Sequence, residues 1–414
     1  MMRANAILRG AGLVVAALCL SLSGSASRAL AQDVGVDVGG GTFRAKNPKT
    51  EKKPAKPGTG TATSSNPRPG GSTRVKPLAE RIEDLLDKGN EARDARRFAE
   101  AEESYKGVLK LRARDSRAAY GLGNVYSDQQ RWDDAEAAYR NSVAWSANDA
   151  DANVALSVVL VQLRAGGDNA KRFADAEWFA RKAVQLDPKS AVAWDRLGVA
   201  LQARGIVNTE TEHSYRRAIE LDPQFPVAYA HLARVLNKIG KASEATPLYD
   251  KAIELAKDPA TLNLIAESLQ AEQFWTRSEP VLKRALELDS RNPTSLLLMG
   301  RMLVVYKRYE EAEPYLKSAT EISSRAFQPF NLLGRAYLGM DRFDDAEATY
   351  ERASSIAGAG EKKQLAGVFG FEGVGDGYLK ARQKENAVRA YQRALELDPA
   401  NTGAAQKLAK ARSN

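Results

Sequence analysis

From residue 82 to residue 401 the chain resembles itself at a period of about 34 residues, and that period restricts the possible folds more than any other feature. Leu186-Asp187-Pro188, Leu221-Asp222-Pro223 and Leu397-Asp398-Pro399 each close a unit in the same phase. Ala183, Ala218 and Ala394 precede them at one spacing, and further back stand Tyr215 and Tyr391, with Phe179 one place off phase. Proline cannot continue a helix, so each of these units ends in a turn. A unit of this length holds one helical hairpin, which cannot bury its apolar face alone. Neighbouring hairpins must stack to build a continuous core.

The residues inside the units sharpen this reading. Trp194, Leu197 and Gly198 open one unit. Leu122, Gly123 and Tyr126 open another and are followed by Ala135 and Tyr139. Leu333, Gly334 and Tyr337 open a third, followed by Ala346, Tyr350 and Ala353. The pattern resembles the tetratricopeptide repeat. Nine units fall in register: 82–115, 116–149, 150–190, 191–225, 226–258, 259–292, 293–326, 327–360 and 368–401, with a capping helix expected at 403–412. The resemblance implies an all-α fold, a right-handed superhelical solenoid of helix-turn-helix repeats over 79–414. Small residues such as Gly123, Gly198, Gly300, Ala312 and Gly334 would sit where helix backbones approach. Tyr126, Tyr139, Trp194, Tyr229, Tyr249 and Tyr350 would fill the gaps. The remaining tryptophans, Trp132, Trp145, Trp178 and Trp275, are expected in the core as well.

Three units depart from the pattern. Unit three carries about seven extra residues around 164–171, or about two helical turns. They are expected to lengthen both of its helices across a Gly-Gly turn. Unit six has Ser278 where others have Gly or Ala. In unit nine, Gly370, Gly373 and Gly377 each weaken a helix by up to about 1 kcal/mol relative to Ala, so its first helix is expected to be the softest element.

The N-terminus reads as an address. Arg3 and Arg9 precede an apolar run from Ala11 to Leu22, and Ala29-Leu30-Ala31 is an A-x-A cleavage site. The run is shorter than the roughly 20 residues a membrane span needs. Residues 1–31 are therefore expected to be a secretory signal, placing the protein in the periplasm or outside the cell, with an inner-membrane anchor as the alternative. Residues 32–78 are rich in Gly, Pro, Ser, Thr and Lys and poor in apolar residues, the composition of a disordered basic linker. It is a spacer, or an electrostatic attachment to an anionic membrane or wall surface.

Charge and chemistry narrow the function. The net charge is +9, but 79–414 holds 49 basic and 49 acidic residues, so the excess lies in the signal and the linker. This argues against nucleic-acid binding. The single cysteine, Cys19, lies in the signal, and His213 and His231 are the only histidines, so no metal site is expected. No phosphate loop, nucleophile elbow or zincin motif is present. No cofactor and no enzymatic activity are expected.

Function is then expected on the concave face, lined by the first helix of each repeat. In the family the second, fifth, sixth, ninth, twelfth and thirteenth residues of that helix tend to face a partner. Here they include Asn90, Asn124, Asp195, Arg196, His231, Arg234, Asn237, Lys238, Asn263, Glu267, Arg301, Asn331 and Arg335. Arg196, Arg234, Lys238, Arg301 and Arg335 would form a cationic stripe for an acidic segment or a C-terminal carboxylate, and the asparagines could bond an extended backbone. Some family members clamp chaperone C-termini with Lys, Asn and Arg. Asn90 and Asn124 match the asparagine, but Leu86 and Tyr120 stand at the lysine position, so the clamp is not intact. The expected function is a non-catalytic protein-interaction scaffold in envelope assembly, secretion or export. The alternative is a cell-wall or polysaccharide-binding module anchored by its cationic linker.

Overall fold

The computed structural model describes residues 45–50, 76–163 and 168–413. Twenty helices and no strand occur among the described residues. The signal-peptide expectation for 1–31, most of the linker and the Gly-Gly turn of unit three lie outside them. The helices fall into two compact units divided between Lys241 and Ala242.

The first unit holds α1 (Leu78–Asp94), α2 (Phe98–Leu111), α3 (Ser116–Asp128), α4 (Trp132–Trp145), α5 (Ala150–Leu160), α6 (Asn169–Leu186), α7 (Ala191–Ala203), α8 (Thr209–Leu221) and α9 (Pro226–Lys238). Each odd-numbered helix up to α7 packs on the even-numbered helix after it, and each such hairpin packs on the next. The first helices also touch one another, α1 with α3 and α5 with α7, so they form one face. Residues 45–50, in neither helix nor strand, belong to this unit.

The second unit begins with α10 (Ala242–Leu255) and continues with α11 (Pro259–Ala271), α12 (Trp275–Leu288), α13 (Pro293–Val305), α14 (Tyr309–Ile322), α15 (Phe327–Gly339) and α16 (Phe343–Ile356). It ends with α17 (Ala359–Ala366), α18 (Phe371–Lys380), α19 (Lys384–Leu397) and α20 (Thr402–Ser413). Here α11, α13 and α15 are the first helices, and α20 packs on α19 as a cap.

Local chemistry explains the element ends. The side chains of Asp115, Asp149, Ser190, Asp258 and Asn292 accept from the opening backbone N–H groups of α3, α5, α7, α11 and α13. Pro226, Pro259 and Pro293 occupy first helical positions, where no N–H is missed. Within the hairpins the chain turns through a left-handed residue: Arg96, Gln130, Gln273, Lys307, Asp341 and Arg382 have φ between 56° and 64°, and Gly205 and Gly240 have 77° and 82°. For the non-glycine residues this conformation costs roughly 1–2 kcal/mol each.

The core follows from the close approach of hairpin helices. A Cβ on Gly123 would lie 2.5 Å from the Tyr139 ring, so only glycine lets α3 and α4 meet there. Tyr105, Tyr139, Tyr215, Tyr249, Tyr350 and Tyr391 are almost fully buried. In the Gly-rich α18, a Cβ on Gly377 would lie 2.2 Å from Phe343, so close ring packing accounts for that glycine.

Charged pairs tie repeat to repeat. Glu102, Glu136, Glu177, Glu212, Glu279 and Glu313 each pair with a base four residues later. Each also pairs with a base from the following repeat: Arg131, Arg172, Arg204, Lys241, Arg308 and Arg342 in turn. Burial raises all six carboxyls, but the paired bases outweigh it and hold them below the usual range.

Two sequence expectations are corrected. The insert of unit three lengthens one helix only: α5 has 11 residues and α6 has 18. The second helix carries the extra turn. The tryptophans are not core residues. Trp178 is 59% exposed, and Trp132, Trp145, Trp194 and Trp275 are half-buried. Trp194 instead lies at the repeat edge and donates from Nε1 to the Pro188 carbonyl at 3.0 Å.

Candidate functional site

The face of α1 and α3 is occupied by a piece of the same chain. Asn124 Nδ2 donates to the Lys46 carbonyl at 2.8 Å, and Asn90 Nδ2 donates to the Pro48 carbonyl at 3.2 Å. Arg93 Nη1 reaches the Ala45 carbonyl at 2.7 Å, and Arg117 Nη1 the Lys49 carbonyl at 3.4 Å. The backbone of residues 45–50 is thus held by side-chain donors from two consecutive first helices.

Those donors are oriented by the hairpins beneath them. The Tyr105 hydroxyl donates to Asn90 Oδ1, and the Tyr139 hydroxyl donates to Asn124 Oδ1, both at 2.8 Å. Each amide therefore points its NH2 group at the bound segment. Burial pushes both phenols far above their ordinary pKa, so they remain donors. Arg93 is only 1% exposed and is fixed by Asp128, with Nε to Oδ2 at 2.8 Å and Nη2 to Oδ1 at 3.1 Å. A buried guanidinium held bidentately is a rigid donor.

One side chain of the segment is read at both ends. Asn47 Oδ1 accepts from Arg93 Nη1 at 2.9 Å, and its Nδ2 donates to Asp94 Oδ2 at 2.8 Å. Ala45 and Pro48 are buried against the face, whereas Lys46 and Lys49 are exposed. Lys49 Nζ lies 4.0 Å from Asp151, a solvated pair that contributes little.

A different arrangement occupies α7 and α9. Asp195 is fully buried, takes His231 Nδ1 at 2.8 Å, and pairs with Arg196 at 3.0 Å. Burial pushes the Asp195 carboxyl up, but His231 and Arg196 outweigh it and hold it below the usual range. Arg196 is 3% exposed, so it is part of this buried cluster. Arg234 and Asn237 are half-buried and Lys238 is exposed; Asn237 Nδ2 has no hydrogen-bond partner among the described residues.

In the second unit most candidates are engaged by their own fold. Asn263 Nδ2 donates to Asn292 Oδ1 at 3.0 Å, and Ser295 Oγ donates to Asn263 Oδ1 at 2.7 Å. Arg301 donates to Gln270 Oε1 from Nε at 3.0 Å and Nη2 at 2.7 Å. Burial pulls the Arg301 guanidinium below its ordinary pKa, opposed by the charge of Glu267. Asn331 is buried. Arg335 is also pulled down by burial, and its guanidinium lies 4.8 Å from the Phe369 ring centre. The five cations of the expected stripe thus divide between two units, three in the first and two in the second.

Two models of the tetratricopeptide repeat match the sequence, one over 86–153 and 263–327, the other over 226–259, 328–359 and 374–401. Together they span more than half of the chain. It belongs to the tetratricopeptide-repeat family. This membership supports a protein-interaction scaffold. Among solved structures, the chain is similar to MamA, at 24% identity over 42% of this chain and 92% of that one, with a TM-score of 0.36. MamA of Desulfovibrio magneticus RS-1, from residue 41 to its end, matches at 17% identity over 43% and 97%, TM-score 0.37. A thermophilic tetratricopeptide-repeat protein of Thermus thermophilus, TTC0263, matches at 22% over 46% and 99%, TM-score 0.39. No curated protein matches.

Several site residues escaped the sequence reading. Arg93 and Asp94 are the twelfth and thirteenth residues of the first tetratricopeptide repeat, and Arg117 and Asp128 the second and thirteenth of the next. All stand at positions the family turns toward a partner, so the signal was present. It was masked by the density of ordinary surface charges around them. Among the described residues no group of His, Cys, Asp or Glu is placed to hold a metal, and no helix is long and apolar enough to cross a membrane.

Proposed function

We propose that the protein is a non-catalytic scaffold that binds segments of partner proteins along the face of its first helices, and that it works in the bacterial envelope, in assembly, secretion or export. The observation that carries the binding reading is the seating of residues 45–50. Donors from Asn90, Asn124, Arg93 and Arg117 take backbone carbonyls, which is how a repeat face holds a peptide. The envelope role rests on the signal-like sequence of residues 1–31.

A separate acidic segment or C-terminal carboxylate fits Arg301 and Arg335 of the second unit. Burial disfavours the charge on Arg301 and Arg335, so an anion placed against either would be favoured. Affinity capture from envelope extract with the full chain tests the scaffold reading. The native chain should retain proteins that Arg234→Glu with Arg301→Glu, or Asn90→Ala with Asn124→Ala, releases. Equal recovery on the native chain and on both variants would remove it.

A further inference from the structure

The occupant of the first-repeat face is itself informative. Its four carbonyl contacts, from Ala45, Lys46, Pro48 and Lys49, read backbone and are blind to side chains. Asn47 is read as a primary amide, since Arg93 supplies a donor to its oxygen and Asp94 an acceptor to its nitrogen. Pro48 is buried and has no N–H to leave unpaired on the face. Lys46 and Lys49 carry exposed side chains. The recognised chemistry is a small residue, any residue, then Asn-Pro.

The contacts also concern groups that ought not to be bare. Arg93 is nearly fully buried with the segment in place, and Nη1 gives its bonds to Ala45 and Asn47. Withdrawing the segment uncovers that guanidinium and the NH2 groups of Asn90 and Asn124, donors that a replacement peptide would have to satisfy. Resting on the scaffold reading, we propose that residues 45–50 are a tethered ligand: they fill the peptide site of repeats one and two, and a partner gains that site only by presenting an Asn-Pro segment that displaces them.

Residues 51–77 join this ligand covalently to α1. A ligand tethered over such a length acts at an effective concentration on the order of millimolar. A free peptide of the same sequence must compete with it, so the native chain should bind that peptide poorly.

The test uses the full chain and a fluorescein-labelled peptide of residues 45–50, Ala-Lys-Asn-Pro-Lys-Thr, followed by fluorescence anisotropy. The chain variant Asn47→Ala with Pro48→Gly loosens the tethered ligand and alters no helix. It should bind the peptide at least about ten times more tightly than the native chain, given a millimolar internal competitor. A peptide carrying the same two changes should bind neither chain. Equal affinity of the native and variant chains for the native peptide would show that the segment does not hold the site, and would leave the scaffold reading to be decided by envelope capture alone. Binding by neither chain would also overturn the tethered ligand; the scaffold reading is then decided by envelope capture, which does not use this peptide. Concentration-dependent dimerisation of the native chain, abolished in the variant, would place the segment on a second copy and overturn the intramolecular form.

Discussion

In repeats one and two, Asn90 and Asn124 receive a tyrosine hydroxyl on oxygen and donate from nitrogen to the bound segment. In repeat six, amides on the same kind of helix face are turned inward, toward their own fold and the next repeat. Asn263 is shared between Asn292 and Ser295, and Gln270 gives its oxygen to Arg301 and its nitrogen to Ser278 and the Leu298 carbonyl. The difference begins at the ninth residue of the repeat, which is Asn in repeats one and two but Glu267 and Arg301 in repeats six and seven. Tyr105 and Tyr139 stand fifteen residues after Asn90 and Asn124, whereas Leu282 and Leu316 stand fifteen after Glu267 and Arg301. A buried hydroxyl that donates to the amide oxygen fixes which end faces outward. Without it, neighbouring polar groups take both ends.

The strongest attack on the first region is Arg93→Leu. It strands the Asp128 carboxylate and removes the anchor of residues 45–50. Loss of one partner of a buried ion pair costs about 3–5 kcal/mol, and urea unfolding should show a loss near the lower end because Asp128 is partly solvated. Tryptic cleavage after Lys46 and Lys49, both exposed on the seated segment, should become faster in the same variant. Unchanged cleavage there would break the comparison at its root.

The Asp195 cluster supplies a third neighbourhood, buried and independent of any bound segment. Asp195→Asn leaves Arg196 buried without its anion and should cost about 3 kcal/mol near neutral pH. The folded-state pKa of Asp195 is lowered, so its contribution is present above the unfolded value of about 3.9 and is lost as pH falls through the lower folded value. The stability gap between native and variant should be present at about pH 5 and close as pH falls further into acid, as read by urea titrations at successive pH values. A gap that persists at the lowest pH where the native chain is folded would contradict the ion-pair account.

In the second region, Gln270→Leu removes the acceptor of Arg301 and should lower stability by about 2 kcal/mol, the cost of an unsatisfied buried charged donor. Peptide binding at repeats one and two should not change, because Gln270 lies in the other compact unit. Altered binding would show that the two faces are not separate sites.

The smallest change is the most specific. Tyr139→Phe deletes one hydroxyl and should cost about 1 kcal/mol of stability. Yet it frees the Asn124 amide to turn over, so trypsin should cut faster after Lys46 while exchange protection in α3 and α4 is kept. Equal cleavage in native and Tyr139→Phe chains would show that the tyrosine packs but does not orient.

The repeat was legible in the sequence because it is written in local terms. Helix period, proline at unit ends and small residues opposite large rings recur at fixed spacing, and each reports on contacts within one hairpin or its neighbour. That was enough for the hairpins, the cap, the face that the first helices share, and Asn90 and Asn124 upon it. Local spacing did not reveal that Trp178 faces water or that the insert of repeat three goes into α6 alone, since both depend on the space left between helices after packing. Nor did it mark residues 45–50 within a stretch whose composition is that of a linker. Their place is set by Arg93 and Asn124, 48 and 78 residues further on from Ala45 and Lys46, and a contact across that distance exists only once the hairpins have stacked and brought α1 and α3 side by side.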